Sequence, residues 1–284
     1  MENLWIILVL AYGLLKGARE CMKKESLKKS SLMEVLFLYM LVGFIFTLPD
    51  TKSALELPPV HIFHLFIKSV VVCIGFLLSF VAIRGLPIGL YSIMTLSQMV
   101  FTTILSILFL KEPFGIYNFI GLLLVISGLV MANFKKDGVN EKKIKIWALV
   151  SAVAYCFFNS ISAVMDKFLM RDMTSAQLQF WFMFFSTLCY GIIIIVKREK
   201  ISLKSLKTNF WIPLMGFLLV LGDRLLFIAN GAQNSKVTVM TLLLQVSVVV
   251  TIILGRVIYK EKNFIYKLFC AGIVISGIVV AAIK

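Results

Sequence analysis

The chain has 284 residues, of which 60% are hydrophobic, and its mean hydropathy is +0.98. Soluble domains contain about 45–50% apolar residues, so this composition excludes an ordinary soluble globular protein. A net charge of +15 suggests nucleic-acid binding in a soluble chain, but here the cations lie mainly between apolar segments. The sequence therefore predicts a polytopic membrane protein whose environment is the lipid bilayer, with no nucleic-acid partner.

Ten apolar segments approach or exceed the length of about 20 residues that a helix needs to cross a bilayer. Hydrocarbon cannot satisfy open backbone groups, so these segments are predicted as α-helices. The fold class is an all-α membrane protein with ten transmembrane helices. The predicted spans are Leu4–Met22, Met33–Leu48, Ile62–Ile83, Ile88–Leu110, Phe114–Phe134, Ile146–Met165, Ser175–Val196, Phe210–Ala229, Val237–Tyr259 and Phe264–Ile283.

The charges predict an orientation. Most Lys and Arg residues lie in or beside the odd-numbered loops, such as the loop that contains Lys23 and Lys24. The positive-inside rule therefore places the odd-numbered loops in the cytoplasm and both termini outside a plasma-membrane protein. Glu2 precedes the first span and the cations follow it, which is the reverse of a cleavable signal peptide.

Short sequence motifs of the first half of the chain recur in the second half. Lys111-Glu112, Ile116-Tyr117 and Ile126-Ser127-Gly128 recur 149 residues later as Lys260-Glu261, Ile265-Tyr266 and Ile275-Ser276-Gly277. These matches in one register indicate an internal duplication. The predicted organisation is a five-helix repeat at residues 1–134, a polar linker at 135–145 and a second five-helix repeat at 146–284.

The first span contains a cation well inside its apolar stretch, Lys16. Its long side chain could extend to the membrane surface, or its charge could face a central cavity. Lys16 aligns with Asn159 in the sixth span, so both repeats place a polar group at this depth.

His61, His64 and Glu56 could bind a metal ion, but residues at the start of an interfacial helix are the preferred interpretation. The five cysteines have no CxxC spacing and are interpreted as packing residues. No metal, cofactor or catalytic residue is predicted.

Polar side chains recur at helical spacing in the fourth span and again in the ninth. They could bond neighbouring helices, at about 0.6 kcal/mol each, or line a cavity that both repeats share. These residues are Tyr91, Ser92, Thr95 and Gln98, then Thr238, Thr241 and Gln245.

Acidic residues occur at two kinds of position. Glu112 and Glu261 directly precede the fifth and tenth spans, where an acid favours the positive end of a helix dipole, so they are predicted to be structural. Asp223 and Arg224 lie inside the eighth span, where each charge costs roughly 2.5–3.5 kcal/mol. Neighbours on a helix point about 100° apart, so at least one of this pair is expected to face another helix or a wet cavity.

These features together resemble the EamA domain of the drug/metabolite transporter superfamily. The resemblance covers nearly the whole chain: two halves of five spans, each with a Lys-Glu step before a final helix that contains glycine. It implies two inverted five-helix repeats around a central cavity. It also implies that the first, third and fourth spans line that cavity, with the sixth, eighth and ninth. The residues carried over to these spans are Lys16, Tyr91, Thr95, Gln98, Asn159, Asp223, Arg224, Thr241 and Gln245.

The chain departs from the family pattern in two ways. Met99 and Val248 lie where family members often have a proline in the fourth and ninth spans. Relatives also tend to keep both termini in the cytoplasm, whereas the charges here favour the opposite orientation.

The predicted function is secondary transport of a small polar solute, amino-acid-like or anionic, by alternating access. Asp223 is the candidate for proton coupling, and the protein is expected to be a monomer or homodimer. A nucleotide-sugar-like or drug exporter of the same fold is the alternative, followed by a membrane-embedded enzyme or a receptor. The sequence contains no GxxxxGK[ST] loop, the motif that would indicate nucleotide binding and hydrolysis.

Overall fold

A computed structural model describes residues 4–86, 88–95, 97–111, 115–134, 146–199, 201–259 and 264–282. All regular secondary structure in these ranges is helical. The first half contains α1 (Leu4–Ser26), α2 (Leu32–Thr47), α3 (Thr51–Leu55), α4 (Pro59–Gly85), α5 (Ile88–Met94), α6 (Ser97–Leu105) and α7 (Ile116–Phe134). The second contains α8 (Ile146–Leu169), α9 (Ser175–Lys197), α10 (Ser205–Thr208), α11 (Trp211–Gly231), α12 (Val237–Leu243), α13 (Val246–Tyr259) and α14 (Phe264–Ala282).

Within the described ranges, a helix or a pair of helices occupies each of the ten predicted spans. Six stretches there are long and apolar enough to cross a membrane. These stretches are Leu32–Leu55, Pro59–Gly85, Ile146–Leu169, Ser175–Lys197, Trp211–Gly231 and Val237–Ile258. Helix α1 is comparable in length, but it carries several charged residues. The chain is therefore a multi-pass membrane protein, and its described residues form helices and connecting turns only.

Helix starts follow from local sequence. Ser31 accepts a hydrogen bond from the Glu34 backbone N–H and so caps α2. Helix α9 begins with a capping box, in which Thr174 and Gln177 each accept a bond from the other's backbone N–H. Pro59 occupies the first position of α4, where its missing N–H removes no helical hydrogen bond.

The packing has the same pattern when the two halves are exchanged. Helix α1 packs on α11 and α13, and its counterpart α8 packs on α4 and α6. Helix α2 packs on α9 and α11, as α9 does on α2 and α4. The final helices α7 and α14 pack on each other, and a Cβ added at Gly277 would lie 2.9 Å from the Gly121 carbonyl oxygen. Small residues permit this close approach.

The predicted fourth and ninth spans are interrupted at equivalent positions. Helix α5 ends at Met94 and α6 begins at Ser97, whereas α12 ends at Leu243 and α13 begins at Val246. At these breaks Gln98 and Val248 donate backbone N–H groups to carbonyls three residues earlier, in place of the usual four. Irregular backbone at this depth is tolerated where it is buried in protein or lines a cavity.

Candidate functional site

A cavity of about 70 Å³ lies among helices of both halves, chiefly α1, α4, α8 and α11. Its wall contains four basic and three acidic side chains. These residues are Lys16, Arg19, Glu20, Lys23, Lys68, Asp166 and Asp223. Isolated charges are costly inside a membrane protein, so their contacts decide what the cavity can bind.

Arg19 of α1 forms the first ion pair between the halves at this cavity. Its Nη1 lies 3.7 Å from Asp223 Oδ1 on α11, and both side chains are almost fully buried. Arg19 Nη1 also donates to the Tyr39 hydroxyl at 3.4 Å, and Nη2 donates to the Tyr12 hydroxyl at 3.3 Å. Together these contacts join α1, α2 and α11.

Lys68 of α4 forms the second ion pair between the halves. Its Nζ lies 2.6 Å from Asp166 Oδ1 on α8, and the two side chains are 1% and 6% exposed. The same Nζ lies 4.4 Å and 4.5 Å from the ring centroids of Phe182 and Phe227, where cation–π attraction adds to the pairing.

The third ion pair lies within α1. Lys23 Nζ donates to Glu20 Oε1 at 2.8 Å and to the Ser79 hydroxyl at 3.5 Å. Ser79 in turn bonds the Tyr91 hydroxyl at 2.7 Å, which connects this pair to α5. With Arg19 and Lys68 also paired, three of the four cations have a carboxylate partner.

A second, smaller cavity of about 20 Å³ lies against both interrupted spans. Hydroxyl and amide side chains dominate its wall, namely those of Tyr91, Ser92, Thr95, Gln98, Tyr155, Gln245, Ser247 and Thr251. Lys16, Glu20, Gln98 and Tyr155 line both cavities and therefore lie where the two meet.

The structure gathers most of the residues that the sequence proposed for the site. Lys16, Gln98, Asn159 and Asp223 line the larger cavity, and Tyr91, Thr95 and Gln245 line the smaller one. Their role in binding a solute stays a prediction.

Two proposed residues line neither cavity. Arg224 turns away from Asp223, and its guanidinium contacts Asp50 and the Gln179 side chain. The interpretation of Arg224 as a cavity residue therefore needs correction: two neighbours on a helix point in different directions. Thr241 is buried and donates its hydroxyl to the Val237 carbonyl of its own helix.

Sequence reasoning missed Arg19, Glu20, Lys23 and Asp166. Lys23 and Asp166 lie just beyond the predicted ends of their spans, whereas Arg19 and Glu20 lie inside the last turns of the first span. A signal was present, because Lys16, Arg19, Glu20 and Lys23 have the spacing of a single helix face. Lys68 lies only a few residues into the third predicted span, where a long side chain can extend to the membrane surface, but its ion pair with Asp166 holds it in the interior.

The remaining site predictions lie elsewhere. Glu112 and Glu261 are outside the described residues, so their capping role stays a prediction. His61 and His64 lie in the first turns of α4 with ring centroids 6.3 Å apart. The described residues contain no group of three His, Cys, Asp or Glu side chains placed to hold a metal ion.

A multi-pass helical protein with charged groups around a cavity between two similar halves has the architecture of a membrane transporter. The chain matches the EamA-like transporter family over residues 3–134 and again over residues 146–283. It therefore belongs to this family.

Comparison with solved structures supports the fold. One structure, described only as "Crystal structure of protein", aligns with a TM-score of 0.75 at 14% sequence identity. The alignment covers 98% of this chain and 96% of the other. No curated protein sequence matches the chain.

Proposed function

We propose that this protein is a secondary transporter that moves a small polar metabolite by alternating access. The observation that carries the proposal is the charged cavity, whose wall includes Arg19 and Lys68 from the first half and Asp166 and Asp223 from the second. Rocking of one half against the other would change the environment of all four groups. The cavity of about 70 Å³ favours a small solute over a nucleotide sugar.

We further propose that the ten helical segments cross the membrane as two inverted five-helix repeats. An odd number of spans per repeat makes the second copy enter the bilayer from the opposite side. Two observations support this arrangement: the helix packing keeps the same pattern when the two halves are interchanged, and the fourth and ninth spans are interrupted at equivalent positions, near Thr95 and Leu244. The distribution of Lys and Arg supports a plasma-membrane orientation with odd-numbered loops in the cytoplasm.

The test begins with solutes that stabilise the purified protein against thermal unfolding. Each hit is then measured for exchange into liposomes that contain the protein, with and without a pH gradient. Saturable exchange that protein-free liposomes lack is expected. If no stabilising solute is exchanged, the transport proposal fails.

Asp223 is the proposed proton-coupling group because it is buried at the boundary of the two halves, next to Arg19. Asp223→Asn keeps the side-chain shape but removes the titratable group, so transport should lose its dependence on pH. Asp50→Asn is the matched control, since this carboxylate contacts Arg224 away from both cavities. A pH dependence that Asp223→Asn leaves unchanged would reject the coupling role.

A further inference from the structure

The charges around the larger cavity do not cancel. Arg19 pairs with Asp223, Lys23 with Glu20 and Lys68 with Asp166. Lys16 is the remaining cation, and its ammonium has no hydrogen-bond or ion-pair partner among the described residues. With every carboxylate of the wall already in a pair, the cavity has one surplus positive charge.

Lys16 also lies where a ligand could reach it. It is half-buried and lines both cavities. The side-chain amides of Gln98 and Asn159 and the Tyr155 hydroxyl share this wall, and no hydrogen bond satisfies them within the described residues. Polar groups left open in a buried place are costly unless a ligand or water completes their hydrogen bonds.

Glu20 supplies an acceptor at the same junction. Its Oε1 accepts from Lys23, whereas its Oε2 is buried without a hydrogen-bond partner among the described residues. The carboxylate is about nine-tenths buried and lines both cavities. A ligand held at Lys16 would therefore meet an open acceptor beside it.

The smaller cavity presents acceptors for a separate reason. The hydroxyls of Ser92, Thr95 and Thr251 donate their protons to backbone carbonyls of their own segments at 2.6–2.9 Å. Gln245 likewise uses its amide N–H to bond the Thr241 carbonyl. The three hydroxyls therefore turn oxygen lone pairs toward a ligand, which select hydrogen-bond donors, and Gln245 adds its side-chain oxygen beside one remaining N–H.

From this arrangement we propose that the solute is a small hydroxycarboxylate with a net charge of −1. Its carboxylate binds Lys16, and its hydroxyl donates to Glu20 Oε2. A single negative charge cancels the surplus, whereas phosphate carries about −1.5 to −2 at neutral pH. A zwitterion would leave the surplus in place, and an amine would add to it.

This inference rests on the proposed transport function and narrows its substrate class. The probe is labelled lactate, exchanged into liposomes that contain the full-length protein at neutral pH. Unlabelled lactate should compete best, ahead of propionate (which lacks the hydroxyl), alanine (an ammonium in its place) and inorganic phosphate. The expected preference for lactate over propionate is about tenfold, the size of one hydrogen bond to a charged group.

Two variants separate the roles of the two charges. Lys16→Gln should weaken lactate exchange about tenfold or more and leave the fold intact, because removing an unpaired cation orphans no carboxylate. Glu20→Gln should reduce the ratio of the affinities for lactate and propionate. This ratio does not depend on how much of the protein is active. Lys28→Gln is the control, since Lys28 is a surface cation just after the same helix and lies outside both cavities.

The outcomes distinguish this inference from the function on which it rests. If other solutes are exchanged but lactate is not, or if alanine, an amine or phosphate competes better, the substrate class is wrong and transport stands. Lactate exchange that Lys16→Gln leaves unchanged also overturns the inference. Absence of exchange for every solute refutes the transport proposal itself.

Discussion

The buried pair of Lys68 and Asp166 should make a large, measurable contribution to coupling between the halves. The two atoms lie 2.6 Å apart, and the side chains are 1% and 6% exposed, so water cannot replace either partner. Lys68→Met leaves the Asp166 carboxylate buried without its counter-ion. Breaking a buried pair in this way typically costs about 3–5 kcal/mol of unfolding free energy.

Replacing both partners should restore most of this loss. In Lys68→Met/Asp166→Leu no charge remains to be desolvated, and such apolar replacements of buried pairs are often neutral or stabilising. The free energy of unfolding should then return to within about 1 kcal/mol of the parent value. With the Asp166→Leu single variant added, the four proteins form a double-mutant cycle, whose interaction energy measures the coupling between the two side chains.

The assay is equilibrium unfolding in mixed micelles, followed by tryptophan fluorescence. The pair of Asp50 and Arg224 provides a control, because its side chains are 27% and 28% exposed. Pairs of this kind contribute about 0–1 kcal/mol. The reasoning is refuted if Lys68→Met costs no more than Arg224→Gln, or if the double variant is as unstable as the single one.

Three further predictions concern packing, Arg224 and orientation. A Cβ at Gly17 would lie 2.5 Å from the Ser247 carbonyl oxygen, so Gly17→Ala should lower the thermal unfolding temperature. Gly272→Ala should not lower it, because a Cβ there meets nothing within 4 Å, and equal unfolding temperatures of the two variants would contradict the packing. Arg224→Gln should leave the affinity for a transported solute within about twofold of the parent value, because Arg224 lines neither cavity. A tenfold loss of affinity in liposome exchange would show that Arg224 belongs to the binding site. With native cysteines replaced, Lys28→Cys should react with an impermeant maleimide in inside-out vesicles only, and labelling in right-side-out vesicles would reverse the orientation.

The sequence predicted the larger features of the fold because they depend on periodic, repeated signals. Apolar length located the helices, and the recurrence of Lys111-Glu112 as Lys260-Glu261 revealed two related halves. The breaks near Thr95 and Leu244 could not be predicted, since neither proline nor glycine marks them. They depend on packing between segments that are distant in the chain.

The site was predicted in outline but not in its pairings. Polar residues in the middle of spans, such as Lys16 and Asp223, stand out against an apolar background. Arg19 and Lys68 lie nearer the ends of their spans, where a cation at a membrane surface is common. Which carboxylate each one meets depends on how α1 packs on α11 and α4 on α8.

The two ion pairs between the halves at the larger cavity have the same polarity, opposite to that of the Asp50–Arg224 pair: Arg19 and Lys68 come from the first half, and Asp166 and Asp223 from the second. At the larger cavity the halves are therefore complementary in charge. Two copies of residues 1–134 would leave Arg19 and Lys68 without these carboxylate partners, and two copies of residues 146–284 would leave Asp166 and Asp223 without these cations. A chain that carries one of each half, or two separate fragments produced in the same cell, supplies both partners of these pairs.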